Sequence, residues 1–236
     1  MNLLLFIVLT FSMSDPALRG LAMATQNLKD VALLQVDFYY TWGWCDAPKC
    51  IPMMRAMQLP PTCPPMLLVG NEPNAIEPYG APVTPREAQM KVGAIQLKCP
   101  NTYLIVGNVS ADDWVSVGGK GGSGLEWIKR YKVGLPRHAI GAHCYSNYAA
   151  WCISRLREIK LAWGGEMWVT EFAILSGNVR EFRILTNWLD RNTVGYAAYT
   201  NRQVKGAGYT LPYDLDLINA DGILSALGKE YMHGDH

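Results

Sequence analysis

The chain has no run of about 20 apolar residues, the length a membrane-spanning helix needs. It has almost no charge bias: 21 Lys+Arg stand against 20 Asp+Glu, for a formal net charge of +1. A protein that holds nucleic acid through its phosphates needs a basic excess gathered on one face, so that class finds no support. None of the six cysteines is spaced C-x-x-C, which removes the usual zinc signature. Gly118–Gly124 is glycine-rich but lacks the Gly-Lys-Ser/Thr ending of a phosphate cradle and reads as a loop. What the chain does have is apolar and aromatic surface: half of it is hydrophobic, with 8 Trp and 12 Tyr. That composition excludes a disordered chain. A length of 236 residues suits one large α/β domain.

Leu3–Phe11 is apolar except for Thr10, and small residues follow at Ser12 and Ser14. This has the size and spacing of a secretory h-region and cleavage site, although Asn2 stands where a basic residue is usual. The expected organisation is a signal peptide over 1–14 and one catalytic barrel over 15–236, giving a secreted protein (extracellular or cell wall). The alternative use of LLLFIVLT is a buried first strand, but Arg19–Met23 already offers one. An even cysteine count in an exported chain invites disulfides, with Cys45–Cys50 and Cys144–Cys152 the pairs closest in sequence. Connectivity stays open, and buried free thiols are the alternative.

Beyond the leader, eight short apolar runs alternate with helical patterns: 19–23, 36–42, 51–56, 66–71, 103–108, 139–145, 167–172 and 194–199. Several are continuously apolar, as strands covered on both faces are. Thr84-Pro85-Arg86-Glu87 forms a capping box with Pro at the first helical position. Ala88, Val92, Ile95 and Cys99 continue it as one apolar stripe. Ser123-x-x-Glu126 and Asn178-x-x-Glu181 open two more helices, the first continuing through Leu125, Ile128 and Lys132, the second through Phe182, Leu185 and Leu189. Prolines at 60, 61, 64 and 65 leave little room for a helix between the third and fourth strands. Eight β/α units without a linker predict a small single-domain (β/α)8 TIM barrel.

In such a barrel the chemistry lies at the C-terminal strand ends. Glu72 and Glu171 are each the only acid of an apolar run, and burying an ionised carboxylate costs several kcal/mol unless compensated. Two carboxylates facing each other across a barrel mouth meet the requirement for glycosidic hydrolysis, one protonated and one ionised. The bland reading of either one alone is a salt-bridged structural acid. Asn71 could hold a sugar 2-hydroxyl. His143 and Tyr145 share a strand face that Cys144 does not, so Tyr145 is placed to donate to Glu171. Tyr40, Trp42, Trp44 and Trp114 offer flat faces for sugar rings, while Tyr39 and Trp168, in mid-strand, read as core. Asn108, His143, Tyr145 and Tyr199 complete the strand-end set expected to bind substrate.

These motifs resemble clan A retaining glycoside hydrolases. The match extends through Leu18–Ala22, Phe38–Trp42, Ile51–Met54, Val69–Pro73, His143–Tyr145, Trp168–Ala173 and Asp221–Tyr231, in the order found in the glycosyl hydrolase catalytic core family, glycoside hydrolase family 128. The resemblance implies an endo-β-1,3-glucanase with Glu72 as acid/base and Glu171 as nucleophile, acting with retention and needing no metal or cofactor. It implies β-glucan as the partner, with no nucleic acid, no membrane in the mature form and a monomeric state. The chain departs from the family at Cys144, where Trp is usual, at Ala198-Tyr199, where Trp-Phe is usual, and at Asn74, where Asp is more common. The alternatives are a barrel that binds glucan without cutting it and a clan A hydrolase for another β-linked glycan.

Overall fold

Each of the eight apolar runs forms a parallel strand, as expected for segments that must bury both faces. The computed structural model describes residues 16–24, 26–77, 80–112, 122–131, 138–202 and 215–233. The strands are β1 (Leu18–Ala22), β2 (Phe38–Tyr40), β3 (Met53–Met54), β4 (Met66–Val69), β5 (Tyr103–Ser110), β6 (His138–Ser146), β7 (Met167–Ile174) and β8 (Gly195–Tyr199). Their order in the sheet is β2-β1-β8-β7-β6-β5-β4-β3. The two edge strands meet through a parallel bridge from Tyr39 to Cys50, with Ile51 N donating to Tyr39 O at 2.9 Å. The sheet is therefore the nearly closed barrel that the alternation of runs predicted.

Six helices are described: α1 (Leu28–Leu33), α2 (Pro85–Lys98), α3 (Gly124–Tyr131), α4 (Ala149–Trp163), α5 (Val179–Asn192) and α6 (Ala226–His233). Helix α2 starts on the predicted capping box, with both reciprocal bonds made, and buries Ala88, Val92, Ile95 and Cys99. In α5, Asn178 accepts from the amides of Arg180 and Glu181, but the Glu181 carboxylate does not complete a box. It turns instead to α4 and accepts from Ala149 N at 2.8 Å. Helix α4 needs this, since its own N-cap, Tyr148, makes no side-chain cap bond. No helix separates β3 from β4, as the prolines required. Residues 1–14, Trp114, Lys132 and most of the 118–124 loop lie outside the described residues.

Two cores result from the strand pleat. Side chains such as Phe38, Tyr40, Met53, Leu68, Ile105 and Trp168 fill the barrel, while Tyr39, Leu67, Leu104, Ile140, Val169 and Tyr196 pack outward under the helices. Tyr39 and Trp168 are thus core residues, as their mid-strand positions suggested. All six cysteines pair. Cys45–Cys50 and Cys144–Cys152 form as their spacing invited, and Cys63–Cys99 pins the proline-rich segment to the end of α2.

The pleat is broken at two places that matter for the site. Between β6 and β7, Ala142 pairs with Val169 but the next residue, His143, pairs with Glu171, so Thr170 is one residue in excess. Such a bulge re-aims the side chains that follow it. Between β5 and β6 the same happens around Gly107 and Asn108, which have φ of 86° and 50°.

A buried charge ties the chain past β8 to the rest of the barrel. Asp30 of α1 is 1% exposed and accepts from Arg202 Nε (2.9 Å) and Nη2 (3.0 Å), Asn201 Nδ2 (2.9 Å) and Asn27 Nδ2 (3.1 Å). Removing one partner of a buried pair strands the other, so Asp30→Ala should cost about 3 kcal/mol of unfolding free energy. Urea denaturation would measure it, and a change under about 0.5 kcal/mol, the level of an ordinary surface substitution, would contradict the assignment.

Candidate active site

Strict alternation from Trp168, which points into the barrel, would put Thr170 inside and Glu171 outside among the helices. The excess residue in β7 removes that conflict. The Thr170 hydroxyl donates inward to Asn108 Oδ1 at 2.8 Å, and the Glu171 carboxylate also faces the lumen. There it accepts from Tyr40 Oη (2.8 Å) and Trp42 Nε1 (2.8 Å) on one oxygen and from the Tyr145 hydroxyl on the other. Tyr40 and Tyr145 remain protonated donors: burial pushes both hydroxyls well above the usual tyrosine range, and the charge of Glu171 pushes further the same way.

Glu72 follows β4 with a left-handed φ of 45°. For a residue with a Cβ this is a strained conformation, costing on the order of 1–2 kcal/mol. It is held there by its own amide, which donates to Asn108 O at 2.9 Å, and by the Ala75 amide, which donates to Glu72 O. Glu72 has few donors around it. Burial raises its carboxyl above the usual glutamate range, His143 opposes that by hydrogen bond and charge, and Glu171 and Asp112 add to the rise.

One side chain touches both acids. His143 is fully buried, with Nδ1 3.0 Å from Glu72 Oε1 and Nε2 3.5 Å from Glu171 Oε1. The two glutamates read from the sequence are thus brought within the span of a single imidazole. They differ in surroundings: Glu171 accepts from three side-chain donors, and Glu72 faces His143.

The other strand-end residues take several places. Tyr199, half-buried at the end of β8, lies edge-on to Trp42 (6.0 Å) and Tyr145 (5.6 Å), and burial together with Glu171 and Asp216 pushes its hydroxyl up to about 12. Its neighbour Ala198 faces the helices. Asn71 is buried beside Glu72, and its Oδ1 has no hydrogen-bond partner among the described residues. Tyr40 is buried completely and meets Glu171 through its hydroxyl rather than presenting a face. Asn108 is also fully buried. Its Nδ2 donates to Gly70 O at 2.9 Å and its Oδ1 accepts from Thr170, so it joins β4, β5 and β7 inside the barrel instead of lining the groove. Gly141 makes room for it, since a Cβ there would sit 2.0 Å from Asn108 Oδ1. Trp44 is half-buried against the outer core and is not brought to the carboxylates.

Asn74 was noted in the sequence only as a departure. It is 1% exposed, donates from Nδ2 to Ser110 O and Gly122 O (both 3.1 Å) and accepts from Ser110 N (2.9 Å). It locks the loop carrying Glu72 to the end of β5. An aspartate could not donate to those two carbonyls.

A parallel barrel whose strand ends bring two buried glutamates against one histidine is of the glycoside hydrolase kind. The chain belongs to the glycosyl hydrolase catalytic core family, whose sequence profile matches residues 22–231. No curated protein sequence matches it. In fold it is similar to a subgroup II endo-β-1,3-glucanase of glycoside hydrolase family 128 from Sorangium cellulosum (TM-score 0.71, 20% identity, 93% of this chain and 99% of that one). It is similar also to a subgroup VI exo-β-1,3-glucanase from Aureobasidium namibiae (0.70, 19%, 94% and 97%). A subgroup VII oligosaccharide-binding protein from Trichoderma gamsii shares the fold too (0.65, 14%, 95% and 96%).

Proposed function

We propose that the protein is a secreted endo-β-1,3-glucanase that cleaves by double displacement with net retention. The observation that carries this reading is the unequal pair: Glu171 surrounded by hydroxyl and indole donors, Glu72 with its carboxyl raised by burial, and both buried against one histidine. Glu171 attacks the anomeric carbon as Glu72 protonates the departing oxygen. Glu72, now a carboxylate, then takes a proton from the water that hydrolyses the glycosyl ester. The unpaired Asn71 Oδ1 suits a donating sugar hydroxyl. Trp42 and Tyr199, which contact each other at the groove, suit a sugar face. β-1,3-Glucan is chosen because structures of the same fold are described as acting on it, one of them holding laminaritriose. Three disulfides support an oxidising compartment and so secretion.

The test is hydrolysis across β-1,3-, β-1,4- and mixed-linkage glucans, xylan and mannan. NMR would follow the anomer of the first product. Release of β-anomeric oligosaccharides from internal bonds of β-1,3-glucan is expected. Tight binding without new reducing ends would make the protein a glucan-binding barrel, and an α-anomer would exclude double displacement.

The pH dependence follows from the direction of the Glu72 shift. A carboxyl raised above its ordinary range keeps its proton to higher pH, so kcat/KM should fall on the alkaline side only above the pH where an exposed glutamate would have ionised. Initial rates on soluble β-1,3-glucan measure this limb, and Glu72→Gln should abolish it.

A further inference from the structure

His143 was expected to meet substrate, but a side chain with no exposed surface cannot do so. Its geometry points elsewhere. Each ring nitrogen faces a carboxyl oxygen, Nδ1 toward Glu72 at 3.0 Å and Nε2 toward Glu171 at 3.5 Å. Nδ1 is hydrogen-bonded to Glu72, while Nε2 makes no hydrogen bond among the described residues and meets Glu171 as a close charge contact. In a neutral imidazole one nitrogen is a bare acceptor. If that nitrogen is Nε2, its lone pair lies beside the Glu171 carboxylate. If it is Nδ1, its hydrogen bond requires Glu72 to donate its transferable proton to the ring rather than to the substrate. Only the doubly protonated ring sets positive charge against both acids and leaves the Glu72 proton on Oε2.

We propose that His143 is an imidazolium throughout the catalytic cycle, a fixed positive charge between two positions that hold a single negative charge in turn. The proposal rests on the double-displacement reading above. Before reaction Glu171 is the anion and Glu72 is protonated. In the first step the Glu171 oxygen bonds to the anomeric carbon and the glycosidic C–O bond breaks. The leaving oxygen keeps the bonding pair and takes the Glu72 proton. Glu171 is now a neutral ester and Glu72 the anion. In the second step water gives its oxygen to the anomeric carbon and a proton to Glu72, and Glu171 leaves as carboxylate. The negative charge has moved from the Nε2 side of the ring to the Nδ1 side and back, while the sum over the three groups has not changed. A charge fixed before the reaction stabilises both states without reorganisation.

The surroundings favour the cation from every side. Glu171 of β7 and Glu72 after β4 face the ring, and Asp112 after β5 adds negative potential at Glu72. The hydroxyls of Tyr40 (β2), Tyr145 (β6) and Tyr199 (β8) stay neutral. Burial alone would lower the imidazole's affinity for its proton; the charges of Glu171 and Glu72 and the bond to Glu72 oppose it, the net direction is upward with both acids ionised, and one of the two charges is in place in each state of the cycle. His143 acts through the two glutamates and is a positioning residue.

The test has two arms. Ring-nitrogen NMR of histidine-labelled protein, with His143→Gln identifying the signal, should show both nitrogens protonated at pH 7 in the wild type. Glu171→Gln should move that titration to lower pH. A ring with one bare nitrogen at pH 7, or a titration indifferent to Glu171→Gln, would overturn the proposal. In the kinetic arm, His143→Gln should lower kcat on β-1,3-glucan roughly 10²-fold. It should also move the alkaline limb to higher pH, because Glu72 loses the one neighbour that lowers its pKa. A loss of rate with the limb unmoved would mean that the histidine only supports the fold, and would overturn the proposal. Absence of hydrolysis in the wild type would overturn the glucanase reading instead, and the ring titration would still decide the charge on His143.

Discussion

Glu171→Gln should reduce kcat on β-1,3-glucan on the order of 10⁵-fold, the scale seen when a covalent nucleophile is removed from a machine whose other parts remain. The amide is close in size to the carboxylate: its oxygen can still accept from Tyr40 and Trp42, and its NH2 can donate to the Tyr145 hydroxyl oxygen. The fold and the substrate affinity should therefore change little, and the loss should fall on kcat. Glu171→Ala carries the test further, because the space it opens admits azide. Azide then makes a single displacement from the side Glu171 occupied, so the rescued product is the inverted α-glycosyl azide. Activity in Glu171→Gln within about tenfold of wild type would mean that another group attacks the sugar.

Glu72→Gln should divide substrates by their leaving groups. With natural glucan, where the departing alkoxide must be protonated, the rate should fall about 10²–10⁴-fold, the range of general acid catalysis. With a dinitrophenyl β-glucoside or laminaribioside, whose leaving group departs unprotonated, the first step should be nearly intact. The glycosyl-enzyme should then accumulate as a burst, since the base for the second step is missing. Azide here attacks the accumulated ester, so two inversions give the β-glycosyl azide. Opposite azide products from the two variants are the strongest single check on which glutamate does what. The same configuration from both would remove the assignment.

The parts of the molecule that could be read in the sequence are those governed by local physics. Eight short apolar runs marked the strands, and α2 and α5 announced themselves through Thr84 and Asn178. Helix α4 did not, because its N-cap is Tyr148 and the missing bond to Ala149 N comes from Glu181, 32 positions beyond Ala149. Cys63–Cys99 was similarly hidden, since only the return path of α2 brings Cys99 to the proline-rich segment. The two acids stood out because a lone carboxylate in an apolar strand demands a reason. The orientation of the surrounding residues depended on the pleat, which composition and spacing do not report. Tyr40 and Asn108 therefore look like groove residues in the sequence and prove to be interior supports. Asn74 carried no signal of its own, because an Asn after Pro in a loop has many uses.

The surplus residue in β7 means that local register, as much as residue identity, governs whether this barrel can react. Pairing Thr170 in step with His143 would restore an uninterrupted ladder, and its most visible result would be a tidier sheet. The same regular register would swing Glu171 out among the helices and leave an empty socket lined by Tyr40, Trp42 and Tyr145. Chemistry here depends on an irregularity that a designer idealising the backbone would erase.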